Sequence, residues 1–185
     1  TDHWFVKHPG IASNEYLYLN ENSAKTSGVN AWSATNPDAT KIYIGTDAGV
    51  NGSGVTYVCY AFAEKKGYSK FGSYTGNGNA DGTFVYTGFR PAWVMFKRSD
   101  STSNWILFDQ KRGVHNLNDD YLHPNNDATE GTSSSSGVDL LSNGFKQRNT
   151  YADANTSSAT YVYMAFAENP FVANDSGTAV PVVAR

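Results

Sequence analysis

The sequence is poor in the residues that would narrow its chemistry. One cysteine, Cys59, stands alone in 185 residues, so no disulfide forms within the chain and no CxxC metal site exists. Charged residues are only 17% of the total and the net charge is −3. That balance is neither the signature of disorder nor the basic footprint of a nucleic-acid binder. No apolar run approaches membrane-spanning length, and no signal peptide is visible. No GxSxG, HExxH or P-loop motif occurs, and no long helical period appears. Aromatics, by contrast, reach 14%, and there are 17 glycines. Tyr, Phe, Val and Thr suit strands, and the Gly, Asn, Ser and Asp between them suit turns.

The most informative feature is a repeat. TYVCYAFAE (Thr56–Glu64) returns as TYVYMAFAE (Thr160–Glu168), with seven of nine positions identical and an offset of 104. Other segments follow in the same order. FVKHPGIASNEYLYLNE (Phe5–Glu21) aligns with MFKRSDSTSNWILFDQK (Met95–Lys111) at an offset of 90, placing Lys7 on Lys97, Asn14 on Asn104 and Leu17 on Leu107. NGSGVT and NTSSAT precede the two nonapeptides, led by Asn51 and Asn155. Several matching segments in the same order mark a duplication. The reading is two homologous halves, residues 1–70 and 71–168, with an extended C-terminal arm over 169–185, all within one compact domain. The first half lacks a counterpart of Phe71–Pro91, so Thr1 is expected to be an internal or processed boundary.

Strand-like segments dominate. DGTFVYTGF alternates, and PAWVMFKR and NWILFDQ are short apolar runs between turn residues. Each nonapeptide is apolar on both faces, which predicts a strand covered on both sides, with Cys59 a core residue. The expected fold is all-β: an antiparallel β-sandwich, jelly-roll or concanavalin-like, with matching strands from each half.

The offset grows from 90 to 104 across the polar stretch His115–Gly137, so the second half carries an insertion there. An insertion in one copy of a repeat sits at the surface and is free to specialise. This one is rich in Asn, Asp, Tyr and His, including His123, Asn125, Asn126 and Asp127. Such side chains suit a sugar, whose hydroxyls bind carboxylates and amides and whose ring packs on an aromatic face. Trp105, Arg112, His115, Asn116, Asp119, Asp120 and Tyr121 are the expected ligand contacts. A solvated loop or a subunit contact would use the same residues. No catalytic residue, metal ligand or cofactor is assigned. His115, Asp119 and His123 have no metal-binding spacing outside a helix. Asn77–Gly82 (NGNADG) places oxygens at alternating positions like the front of a calcium loop, yet lacks the distal Glu, and a hairpin turn uses the same letters. Asp109, Asp119, Asp120 and Glu130 include candidates for the carboxylate pair of a glycosidase.

The run Tyr60–Asp100, then NWILFDQKR and the closing MAFAENPF, resembles an uncharacterised β-rich domain family. Its members occur in tail-fibre and structural proteins of marine tailed bacteriophages, often beside concanavalin or laminin-G-like modules. The resemblance covers nearly the whole chain and transfers no catalytic residue. It implies a virion protein on the particle surface, in contact with other virion subunits and oligomeric, with a trimer expected by analogy. It implies neither nucleic-acid binding nor membrane insertion. The function expected is a tail-fibre or spike-type domain that presents loops to a host-surface glycan or receptor. The alternatives are a capsid decoration or head-fibre subunit with an assembly role only, a polysaccharide depolymerase, and a secreted bacterial adhesin of the same fold.

Overall fold

The computed structural model describes residues 3–113 and 116–169. The chain is nearly all strand. β1 (Phe5–Val6), β2 (Glu15–Tyr18) and β3 (Thr26–Ser27) form a small antiparallel meander, followed by the single helical turn α1 (Ala48–Asn51). Then come β4 (Ser69–Thr75), β5 (Phe84–Tyr86), β6 (Trp93–Arg98), β7 (Trp105–Asp109), β8 (Asp120–Leu122), β9 (Gly131–Thr132), β10 (Val138–Leu141) and β11 (Gly144–Gln147). A second helical turn, α2 (Ala152–Asn155), leads into β12 (Thr160–Phe166). A six-stranded sheet runs β4-β12-β6-β7-β8-β9, and a three-stranded sheet runs β10-β11-β5. Every pairing is antiparallel.

The large sheet is the middle of three layers. One face packs Tyr74, Val94, Phe96, Ile106, Phe108, Tyr161, Tyr163 and Ala165 against Val85, Val138, Leu140 and Phe145 of the small sheet. The other face packs Met95, Trp105, Leu107, Val162 and Met164 against Val6, Ile11, Leu17 and Leu19 of the first meander. Alternation along β12 serves both faces, because successive side chains of a strand point to opposite sides. Tyr161, Tyr163 and Ala165 go one way, and Val162 and Met164 go the other. The expected all-β sandwich and the two-sided burial of the second nonapeptide are therefore seen directly. Each fully buried large apolar side chain contributes roughly 1.5–3 kcal/mol. The parallel rings of Tyr74 and Tyr161, 5.0 Å apart, add a stacking preference. Gly72 lies opposite Tyr163 in the register, and a Cβ there would come within 2.9 Å of the Tyr163 ring.

The first nonapeptide departs from expectation. Thr56–Glu64 forms no strand and is exposed throughout, and Cys59 is exposed rather than a core residue. The reason is physical. β12 has β4 on one side and β6 on the other, whereas no described strand flanks Thr56–Ala63. Without flanking strands, the segment has no ladder to join and no cover on its two faces. The arm proposed for 169–185 lies outside the described residues, apart from Asn169.

Candidate ligand surface on the insertion

The insertion is not a free loop. Its strands β8 and β9 extend the large sheet beyond β7, with Leu107 opposite Leu122, Phe108 opposite Tyr121 and Tyr121 opposite Gly131. A Cβ at Gly131 would lie 2.4 Å from the Tyr121 ring, so glycine is required for the ring to lie across β9. The β8–β9 connection is latched to the start of β7. The Trp105 N–H donates to Asn125 Oδ1 at 2.9 Å, and His123 Nδ1–H donates to the Trp105 carbonyl at 2.8 Å.

Most of the expected contact residues serve the fold. Trp105 is 3% exposed in the layer beneath the first meander, where its Nε1–H donates to the Tyr18 carbonyl at 2.8 Å. Its ring is not on the surface where the sequence reading placed it, because an apolar residue at the start of a central strand is drawn into the core. Arg112 pairs with Glu130. The Asn116 amide spans both main-chain groups of Leu140, accepting from its N–H at 3.0 Å and donating to its carbonyl at 3.2 Å. Asp120 Oδ1 accepts from the Thr132 hydroxyl at 2.6 Å. Asp119 is half-buried beside β8, and its carbonyl accepts from Ser133. His115 lies outside the described residues.

Tyr121 alone of this set joins a ring cluster. Its ring centroid is 5.2 Å from that of His123 and 6.4 Å from that of Tyr151. All three rings are half-buried. Their floor is polar and tightly bonded. Asp153, on α2, accepts from the Ser103 hydroxyl, from the Asn104 N–H at 3.0 Å and from the Asn104 amide at 3.1 Å. Asn104 Oδ1 in turn accepts from Asn125 at 3.0 Å and Asn126 at 3.4 Å. Burial pushes the Tyr151 hydroxyl up to about 12, and the nearby Asp153 charge reinforces it, so Tyr151 stays a neutral phenol. Lys97 is fully buried, and its ammonium donates to the Arg98 carbonyl at 2.6 Å. Burial lowers its pKa to about 8, opposed by Asp153. No hydrogen bond to a described residue engages the Tyr121 hydroxyl or His123 Nε2. The patch thus offers ring faces with two polar tips, an arrangement that suits a hydroxylated ring. No local motif marks Asn104, Tyr151 or Asp153 in the sequence. Asn104 was marked only by its alignment with Asn14.

Elsewhere the candidates are already engaged. In Asn77–Gly82, Asn77 Oδ1 accepts from the Asn79 N–H at 3.0 Å and Asn79 Oδ1 from the Asp81 N–H at 2.8 Å. The Asn155 amide donates to Asn77 Oδ1 and to the Asn79 carbonyl at 3.0 and 2.8 Å. Asp81 faces Lys146 and Arg148. These oxygens are satisfied by N–H groups, as in a turn. Among the described residues, no group of three or more His, Cys, Asp or Glu is placed to hold a metal ion, and no helix is long and apolar enough to cross a membrane.

A family model described as a domain of unknown function, DUF7483, matches residues 1–170. The chain belongs to this family. No curated protein and no solved structure matches it.

Proposed function

We propose that this DUF7483 domain is a structural module of a bacteriophage virion, a tail-fibre or spike-type subunit that presents the Tyr121–His123–Tyr151 patch to a host-surface glycan. The observation that carries the reading is that ring trio, fixed on the edge of a packed sheet with the Tyr121 hydroxyl and His123 Nε2 turned to no described partner. A rigid frame with a specialised excursion is how binding loops are commonly displayed. The module acts as a homo-oligomer, a trimer by analogy with fibrous appendages, so that several copies multiply a modest single-site affinity.

A glycan array followed by titration calorimetry tests this. Binding of one saccharide class is expected, with Tyr121→Phe weakening it about ten-fold at unchanged thermal stability, as loss of one well-placed hydroxyl contact implies. An array with no signal overturns the glycan reading. It would favour a second reading, an assembly role only, which the exposed apolar segment around Val58 supports. Release of reducing ends from a bound polysaccharide would instead mark a depolymerase.

A further inference from the structure

The unpaired nonapeptide has a built counterpart in the same chain. α1 and α2 are offset by 104 residues, like the nonapeptides that follow them. The Tyr161 hydroxyl donates to the Ala152 carbonyl at 2.8 Å and accepts from the Thr156 N–H at 2.9 Å. The Tyr57 hydroxyl donates to the Ala48 carbonyl and accepts from the Gly52 N–H at 2.8 Å. Each partner is displaced by 104. Order agrees as well: a meander (β1-β2-β3 or β6-β7-β8), then, after β9, β10 and β11 in the second case only, a helical turn and the nonapeptide.

What differs is the flanking strand. β12 pairs with β4 along its whole length, Thr160 opposite Thr75 through Phe166 opposite Ser69. Between Thr56 and Glu64 no main-chain hydrogen bond to another described main chain is made. Val58, Tyr60 and Phe62 are 74%, 70% and 60% exposed. The segment is nonetheless held, with Tyr60 stacked on Trp4 at 6.4 Å and the Phe62 ring against Phe166 at 5.8 Å. β4 follows it directly but serves β12 instead, and as an end strand of the six-stranded sheet β4 has no described strand on its outer edge, where only Lys65 at Ser69 and the Thr83 hydroxyl at the Thr75 carbonyl bond to it. An open edge and an unpaired apolar segment are both invitations to strand addition.

We propose that Thr56–Ala63 is an acceptor for the outer edge of β4 in a second copy of this chain, antiparallel and in the register that β4 uses on β12. The pairs are Thr56 with Thr75, Tyr57 with Tyr74, Val58 with Ser73 and Cys59 with Gly72 of the second copy; Ser69 lies beyond them, its main-chain groups already bonded to Lys65. This interface makes no use of the saccharide patch, so either reading can fail without the other.

Disulfide trapping between full-length chains tests it. One chain carries Val58→Cys with Cys59→Ser, the other Ser73→Cys with Cys59→Ser. Both sites are exposed, so the fold survives. The mixed disulfide is expected at roughly ten-fold higher yield than when Tyr60→Cys replaces Val58→Cys, because a two-residue slip keeps the face but loses the register. Equal yields, or no disulfide, overturn the proposal. So does a chain that sediments as a monomer at all concentrations, or an oligomer whose dissociation constant is unmoved by Val58→Pro. Displacement of the partner by a peptide of residues 169–185 would assign the groove to that segment and would also overturn it.

Discussion

Thr56–Glu64 and Thr160–Glu168 share seven of nine residues and occupy opposite environments. The later segment is the spine of the largest sheet, covered above and below. The earlier one lies in the open, with the same Tyr-to-carbonyl anchor but no described strand beside it. The local anchor survives the change of surroundings, whereas strand structure does not. β-structure is therefore a property of the neighbours as much as of the segment, which is why intrinsic strand propensity transfers poorly between sites.

The sharpest way to break this contrast is the same substitution in both places. Tyr161→Ala removes a fully buried ring and should lower unfolding free energy by about 3–5 kcal/mol. Tyr57→Ala, at a more exposed site, should cost about 1 kcal/mol. Urea denaturation of both variants checks it, and equal losses would mean that the first segment is as well packed as the second.

A smaller effect probes how the first meander is tied to β12. His8 is 8% exposed, accepts from the Gly10 N–H on Nδ1 and donates from Nε2 to the Tyr163 carbonyl, both at 3.0 Å. Burial lowers its pKa to about 4 from the ordinary 6.5. The neutral ring is the folded form, so the unfolded chain binds the extra proton first. Stability from this site is complete above pH 6.5 and is lost as pH falls toward 4, by about 2–3 kcal/mol. Stability measured between those values should fall in the natural chain and run flatter in His8→Gln.

The smallest effect lies at the shared glutamates that close each segment. Glu64 pairs with Lys70, and Glu168 with Lys111 and Gln110. These are exposed pairs, which contribute little. Glu64→Gln and Glu168→Gln should both leave the urea midpoint where it was. A large shift from Glu168→Gln alone would extend the contrast to the segment ends.

Much of the architecture was legible because strands buried on both faces leave a plain mark, apolar at successive positions, as in Tyr161–Ala165. Alternation and turn residues gave the class of fold for the same reason. The open state of Thr56–Ala63 was not legible, since its letters match β12 and the missing neighbour is not written in the segment. The candidate ligand surface was half legible. The insertion and Tyr121 were visible as an interruption of the repeat, but Tyr151, just before α2, and Asp153, on α2, reach the patch through packing. Trp105 misled because aromaticity alone does not tell a surface ring from a buried one. Asn116 and Asp120 bond within the fold, a role that their letters alone do not distinguish from ligand contact.

The position of β12 has a consequence for how the molecule is made. It separates β4 from β6, yet it leaves the ribosome after every other described strand. Until it arrives, the nascent chain holds two half-sheets with a gap of one strand, and more than eighty residues lie between β4 and the strand that completes it. Such distant pairing slows folding and prolongs the exposure of apolar surface. Chaperones should therefore engage this polypeptide until Thr160–Phe166 emerges, and release it soon after.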